Sequence, residues 1–140
     1  MSKIMFTSSQ DAEAAFYEAL EHANLDAMMQ LWAEDDEISC VQPGGPRLIG
    51  YAAIREAWAR IFKNAARLRV SISDLTVVQT PFAAVHTLIE TISVVGDDTT
   101  HAPVVATNVY VRGPLGWRLL VHHASPAPPG LLAETPKILH

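Results

Sequence analysis

Cysteine is nearly missing from this sequence, with Cys40 as the single one among 140 residues. An internal disulfide is therefore excluded, and a reducing, cytoplasmic setting is the simplest expectation. No apolar run approaches the roughly 18 residues of a membrane-spanning helix. The N-terminal stretch MSKIMFTSSQD also lacks the apolar segment of a signal peptide. The sequence thus predicts a cytoplasmic protein with no membrane partner.

Clustered basic residues are missing as well. Ten Lys and Arg stand against 15 Asp and Glu, for a net charge of −5. A nucleic-acid backbone normally binds a clustered basic face, so we expect no nucleic-acid partner. The turn PGGP at 43–46 lacks the Lys and Ser/Thr of a phosphate loop. No spacing has the character of a metal site, and we expect neither a metal nor a cofactor.

Apolar residues, in contrast, are plentiful. They make up 49% of the chain, while charged residues make up 18%. This length and composition fit a single domain over 1–140. We expect its core to span 9–126 and the proline-rich tail 127–140 to be irregular.

The first half of the chain has helical periodicity. Ser8 and Ser9 offer an N-cap for a first helix that ends near Asn24, with Glu13 placed in its first turn. Asn24 is expected to cap a second helix, Leu25–Trp32. A third helix follows Gly50, and its apolar positions are Ile54, Ala57, Trp58, Ile61, Phe62 and Ala65.

The second half has the alternation typical of strands. Two short strands, 38–42 and 47–49, flank the PGGP turn, and four long antiparallel strands follow Leu68. Helices first and strands afterwards predict an α+β fold. The strand 104–112 is apolar on both faces, so one face can pack on the helices while the other needs cover, for which a second subunit is a natural source.

Two stretches carry a family resemblance. LWAEDDEISCVQPGGPRLIGYAAIREAW resembles SnoaL-like and ketosteroid isomerase-like members of the nuclear transport factor 2-like superfamily. NVYVRGPLGWRLLVHHASP resembles the closing hairpin of that superfamily, particularly in members similar to the association domain of calcium/calmodulin-dependent protein kinase II. The resemblance covers residues 9–126. It implies a cone-shaped, curved, mainly antiparallel sheet packed on three N-terminal helices, the cystatin-like α+β barrel, with a pocket on the concave side and a homodimer through the convex face.

The resemblance does not extend to steroid isomerase chemistry. Gln42 stands where those enzymes place a carboxylate base, and an amide cannot accept a proton at neutral pH. Phe16 and Asn108 stand where they place hydrogen-bond donors. Tyr17 lies one residue out of that register, which turns a helical side chain by about 100°. We therefore do not expect this isomerase activity.

Histidines and amides supply the remaining polar candidates. Gln42 and Asn108 lie on segments that the resemblance places along the pocket, where each is either satisfied internally or orients a ligand. By the same resemblance His122 faces the pocket and His123 the convex side. His122 is then either a hydrogen-bonded core residue or a ligand contact and candidate base. The face of His86 is not fixed by the sequence, and His22, His101 and His140 are expected to be exposed.

These residues predict a site for a small, partly apolar molecule, lined by Tyr17, Trp32, Gln42, Trp58, Asn108 and His122. Two alternatives stay open. One is a SnoaL-like isomerase, cyclase or hydratase that uses His122 as its base. The other is an assembly module with a vestigial pocket, for which a filled cavity and an oligomer larger than a dimer would be the signs.

Overall fold

The computed structural model describes residues 4–64, 67–97 and 103–128. Its helices are α1 (Ser9–His22), α2 (Leu25–Gln30) and α3 (Tyr51–Asn64). Its strands are β1 (Ser39–Val41), β2 (Arg47–Ile49), β3 (Leu68–Gln79), β4 (Ala83–Val94), β5 (Val104–Gly113) and β6 (Gly116–Pro126). The strands form one sheet in the order β2-β1-β6-β5-β4-β3, and every pairing is antiparallel except β1 with β6. The predicted α+β architecture is confirmed.

The helix boundaries follow from capping and from competition with the sheet. The Ser8 hydroxyl accepts a hydrogen bond from the backbone N–H of Asp11 and so caps α1. Asn24 caps α2 in the same way, as predicted. The second helix nevertheless ends at Gln30, two residues before the predicted Trp32, because the Trp32 backbone pairs with Leu119 of β6 instead.

The long strands also differ from prediction in detail. Asp74 has a φ of 53°, and the β3–β4 register shifts between Ser73 and Thr76. Asp74, which interrupts the alternation of apolar and polar residues in the sequence, is therefore part of a bulge inside one continuous strand. Ala65 of the predicted α3 stripe, His101, His140 and the tail from 129 onward lie outside the described residues.

The concave face of the sheet packs on α1 and α3. On α3 the predicted stripe faces inward, with Ile54 and Trp58 fully buried, while Arg55, Glu56 and Lys63 are exposed. On β5 the alternate residues of the inner face are buried. Register places four concave residues side by side across the sheet: Cys40, His122, Asn108 and His86.

The convex face is uncovered and uncharged over its centre. Cross-strand register builds three successive rows there, each crossing β3, β4, β5 and β6. The rows are Val78–Val85–Val109–Val121, Thr76–Thr87–Thr107–His123 and Ser73–Ile89–Val105–Ser125. Val78 is 65% exposed and Val105 38%. The second apolar face predicted for β5 is thus present and open.

The outer edge of β6 is covered by a segment from the N-terminus. Phe6 pairs with Gly116, and its carbonyl accepts a hydrogen bond from the N–H of Trp117. Arg118 lies over the Phe6 ring and donates to the carbonyl of Ile4. These contacts bring the segment close enough to β6 that position 116 has no room for a side chain.

Replacing Gly116 with alanine is expected to lower the free energy of unfolding by about 3 kcal/mol. An added Cβ would lie 2.5 Å from the Phe6 carbonyl oxygen, and the backbone has a φ of +89°. Gly96→Ala is the matched control, since its φ is +88° but nothing lies within 4 Å of the added Cβ. It should lose only about 1–2 kcal/mol. Chemical denaturation measures both, and equal losses would contradict close packing of the segment.

Candidate functional site

Seven side chains with polar groups lie together between α1 and the concave face. We call them the polar cluster: Glu13, Tyr17, His86, Glu90, Asn108, Tyr110 and His122. None is more than 7% exposed. Helix α1 supplies two of them, and β4, β5 and β6 supply the others. Buried polar groups cost free energy unless they are hydrogen-bonded, so the cluster must be judged by its contacts.

Asn108 is at the centre of the polar cluster. Its amide nitrogen lies 3.2 Å from Glu13 Oε2 and 3.0 Å from the Tyr17 hydroxyl, and it donates to both. Its carbonyl oxygen lies 2.6 Å from His122 Nδ1. Because a carbonyl oxygen only accepts, the hydrogen must be on Nδ1 of His122. This fixes the tautomer and leaves Nε2 as an acceptor in the neutral ring.

Glu13 receives its hydrogen bonds at one oxygen. Tyr110 donates to Oε2 at 3.1 Å, beside the donation from Asn108. His86 Nδ1 lies 3.0 Å from the same oxygen, but the ring is not aligned for a hydrogen bond, so we treat this as an electrostatic contact. The other His86 nitrogen lies 2.9 Å from the hydroxyl of Ser9. Glu13 therefore anchors the side chains of β4 and β5 to α1.

Glu90 is the second carboxyl group of the polar cluster. It is 2% exposed and accepts a hydrogen bond of 2.6 Å from Tyr17. Burial raises the pKa of Glu90, although the bond from Tyr17 opposes that change. Burial, followed by the nearby Glu90, raises the pKa of the Tyr17 phenol. No Lys or Arg among the described residues forms an ion pair with Glu90, so its charge has no compensating cation there.

His122 lies where the polar cluster meets an aromatic shell. Its ring centroid is 4.8 Å from that of Phe16 and 6.3 Å from that of Trp58. Complete burial lowers the pKa of His122 to about 3, and the neighbouring His123 adds to this. The ring is therefore neutral at physiological pH. The Trp58 indole N–H is buried and has no hydrogen-bond partner in the described structure.

The structure brings together only some of the residues predicted for the site. Tyr17, Asn108 and His122 are hydrogen-bonded members of the polar cluster, and Trp58 adjoins it. Gln42 instead donates to the Cys40 thiol at 3.3 Å. Cys40 is buried, and burial raises the pKa of its thiol to about 12, consistent with the inert thiol of a core residue.

Trp32 lies apart from these residues. It is buried, but it lines an outer groove of about 350 Å³ together with Asp36 and Tyr51. A larger groove of about 460 Å³ lies beside it, between the acidic turn at 34–35 and the β5–β6 hairpin. Neither groove contacts Asn108 or His122. Trp32 is therefore not placed in the site that holds the other predicted residues.

Phe16 and Tyr17, adjacent on α1, lie on the same buried face of the helix. Phe16 and Tyr17 both face the interior, and it is Tyr17 that reaches Asn108. The buried face of α1 is wide enough for adjacent residues, because the helix lies over a broad curved sheet. Tyr17, although it lies one residue from Phe16, therefore supplies the hydroxyl beside Asn108.

Four members of the polar cluster were not predicted as site residues. Glu13 was assigned to the first turn of α1 for its charge, yet it lies four residues before Tyr17 on the same buried face. That i, i+4 relation was the available signal. On β4, His86, Leu88 and Glu90 are alternate residues, and all three are buried on the same face of the sheet. Tyr110 belongs to the strand 104–112, which was predicted only to be apolar on both faces.

The described residues contain no group of three or more His, Cys, Asp or Glu side chains arranged to hold a metal ion. Among the same residues, no helix combines the length and the apolar character that crossing a bilayer requires.

Comparison with known proteins gives a family match and several similar structures. Residues 10–129 match the model of the SnoaL-like domain. A Thiobacillus denitrificans protein, provisionally named a calcium/calmodulin-dependent protein kinase type II association domain, is 35% identical with a TM-score of 0.84, over 90% of this chain and 100% of that one. A provisionally named dehydratase of the NTF2-like family from Streptomyces avermitilis is 35% identical with a TM-score of 0.78, over 86% and 94%. The S. rosetta CaMKII hub, at 21% identity and a TM-score of 0.68 over 85% and 94%, shares the fold. No curated protein matches the chain.

Proposed function

The chain belongs to the SnoaL-like domain family within the nuclear transport factor 2-like superfamily, and from its polar cluster we propose that it binds a small, partly apolar molecule on the concave side of the sheet. The binding surface comprises Trp58 of α3, Phe16 of α1 and His122 of β6. These residues combine aromatic area with hydrogen-bonding atoms, which is the usual composition of a small-molecule site.

The observation that carries this proposal is the network centred on Asn108. A core that serves stability alone gains little from burying two carboxyl groups without a Lys or Arg partner, since the desolvation penalty exceeds what the contacts return. Here the network orients one group in particular, the His122 ring, through a hydrogen bond of 2.6 Å. Perturbed titratable groups held in this way are typical of functional sites.

Ligand binding is favoured over proton abstraction by the electrostatics of His122. Its pKa, lowered by burial to about 3, leaves Nε2 unprotonated but makes it a weak base. A neutral nitrogen of this kind accepts a hydrogen bond well without removing a proton from carbon. We therefore propose His122 as a ligand contact, with catalysis as the weaker alternative.

Backbone NMR can test this proposal directly. A panel of small neutral cyclic compounds, including phenol and cyclohexanol, should shift amide resonances on β5, β6 and α3 around Asn108, His122 and Trp58. Residues of the outer groove, such as Tyr51, serve as the internal control. If the whole panel leaves the concave-face resonances unchanged at millimolar concentration, the proposed binding site is wrong.

Self-association is a second candidate function, and it is favoured by the uncharged rows of the convex face. An exposed, uncharged sheet face that carries valine and isoleucine side chains commonly marks a protein interface. The similarity to a protein named as an association domain agrees with this assignment. We propose a homodimer in which two convex faces pack against each other.

Introducing a charge tests the convex interface. Thr87→Lys puts a cation at the centre of the three rows and should shift the protein from dimer to monomer, because a lone buried ammonium group is costly. Tyr51→Lys is the control, since Tyr51 is 52% exposed on α3, away from that face. Analytical ultracentrifugation measures both variants. An unchanged mass for Thr87→Lys would contradict an interface at this face.

A further inference from the structure

Two grooves flank the chain segment 33–36, away from the polar cluster. The outer groove of about 350 Å³ and the larger groove of about 460 Å³ share Ala33, Glu34 and Asp35 in their walls. Each volume is within the range of sites that hold small molecules or parts of larger ones. Because both grooves adjoin the same short segment, an elongated molecule that lies across it can contact both.

The walls of these grooves carry negative charge. Glu34, Asp35 and Asp36 are exposed and all three line the outer groove. Among the described residues that line either groove, Arg118 is the only Lys or Arg, and its guanidinium donates to two backbone carbonyls. Burial lowers the pKa of Arg118, and the nearby Glu34 opposes that change. Asp35 and Asp36 are therefore the residues that give the outer groove its charge, and they favour a cationic partner.

Exposed apolar side chains lie beside these carboxylates. Tyr51, at the start of α3, is 52% exposed and lines the outer groove. Leu115, in the β5–β6 hairpin, is 45% exposed and lines the larger groove together with Val111 and Pro114. A partner for the two grooves should therefore combine a cation with aliphatic groups on either side of it.

Trp32 adds a hydrogen-bond donor to the outer groove. It is 1% exposed, it forms part of the groove wall, and its indole N–H has no hydrogen-bond partner in the described structure. Such buried donors are rare in native proteins and call for an acceptor. A carboxylate acceptor would be repelled by Asp35 and Asp36, whereas a neutral carbonyl group would not.

We propose that the two grooves bind a peptide segment of another protein in which an arginine or lysine stands between aliphatic residues. The cationic side chain pairs with Asp35 and Asp36, and the aliphatic side chains pack on Tyr51 and Leu115. A backbone carbonyl of the peptide accepts the hydrogen bond from Trp32. Only a peptide offers all three groups along one chain. This inference goes beyond the proposed function, because it does not involve the concave site.

Three acetylated and amidated tripeptides form a matched set of probes: leucine–arginine–leucine, leucine–citrulline–leucine and leucine–glutamate–leucine. Citrulline has nearly the shape of arginine but no charge. In backbone NMR of the intact protein, the arginine peptide should shift the amide resonances of Ala33, Asp36 and Tyr51. It should bind about threefold to fivefold more tightly than the citrulline peptide, with the glutamate peptide weakest. Raising the salt concentration from about 20 mM to about 500 mM should remove most of this difference.

The variant Asp36→Asn removes one carboxylate from the outer groove. It should abolish most of the preference for arginine over citrulline, while the affinity for the citrulline peptide changes little. Asp74→Asn is the matched control, because it changes the net charge equally on β3, at the far edge of the sheet. Asparagine also tolerates the φ of 53° at that position. This control should keep the full preference for the arginine peptide.

The Trp32 indole resonance tests the hydrogen bond separately. The arginine and citrulline peptides should both shift it in nitrogen-15 NMR, since both carry backbone carbonyls. Trp32→Phe identifies the signal by its disappearance and should weaken the binding of both peptides alike. An indole signal that neither peptide shifts would contradict this contact, and the peptide comparison stands even if Trp32→Phe fails to fold.

The remaining outcomes distinguish other occupants of the grooves. Equal binding of the arginine and citrulline peptides, or no shift at Asp36 and Tyr51 at millimolar concentration, would overturn the proposal. Agmatine carries the guanidinium group without a peptide and should bind at least about fivefold more weakly than the arginine peptide; equal binding would indicate a small cation instead. A lower sedimentation mass for Asp36→Asn would indicate a second copy of this chain in the grooves. None of these results would affect the concave site, which phenol and cyclohexanol test.

Discussion

Asn108→Ala should lower the free energy of unfolding by about 3–5 kcal/mol, the largest effect expected from any polar substitution in this chain. The change removes three hydrogen bonds at once. It also leaves the Nδ1 hydrogen of His122 and a lone pair on Tyr17 buried without hydrogen-bond partners. Leaving buried polar groups unsatisfied costs more than the loss of the hydrogen bonds themselves.

Gln42→Ala provides the matched control for Asn108→Ala. Both residues carry amides, but Gln42, just after β1, is half-buried, and among the described residues its amide donates only to the thiol of Cys40. Its loss should cost less than about 1 kcal/mol. Urea denaturation followed by circular dichroism measures both. Similar losses for the two variants would mean that Asn108 does not hold the polar cluster together.

Acid should destabilise the protein through His122 by about 1.4 kcal/mol for each pH unit below about 6.5. The folded-state pKa of His122 is about 3, below its ordinary value of 6.5. Between these values the unfolded chain binds a proton at this position and the folded chain does not. Stability from this group is therefore complete above pH 6.5 and falls as the pH approaches 3.

His122→Asn isolates this contribution. The asparagine amide can still donate to Asn108 but does not titrate, so the difference between the two stability curves should have the slope given above. Glu90 acts in the opposite direction, since a carboxyl group with a raised folded-state pKa adds stability as the pH falls through that value. Measuring both stability curves again in proteins that also carry Glu90→Gln removes the opposing contribution of Glu90. Parallel curves for the protein and His122→Asn would contradict a neutral buried ring.

The helices could be predicted from the sequence because the patterns that specify them are local. The stripe of α3 and the caps Ser8 and Asn24 each depend on residues within a few positions of one another. The bulge at Asp74 lies where this residue interrupts the alternation of apolar and polar residues along β3. The end of α2 was missed because it is decided by Leu119, which lies far along the chain.

The site was less predictable because its contacts are not local. Glu13 and Asn108 are 95 residues apart in sequence, and a glutamate on an amphipathic helix usually faces solvent. On β4 both faces carry polar residues, so alternation alone could not place His86. The family resemblance placed the strands of Asn108 and His122 along the concave face, and the two side chains are hydrogen-bonded to each other there. Gln42, placed by the same resemblance, proved to contact Cys40 instead.

The protonation of His122 is the central claim, and nitrogen-15 NMR of its ring tests it most directly. Long-range proton–nitrogen correlation distinguishes a nitrogen that carries hydrogen from one that does not. We expect a single neutral tautomer with hydrogen on Nδ1, unchanged from pH 7 to pH 5, in agreement with the hydrogen bond to Asn108. Hydrogen on Nε2, or titration of the ring near its ordinary pKa of about 6.5, would contradict the polar cluster as described and remove the acceptor on which the ligand proposal depends.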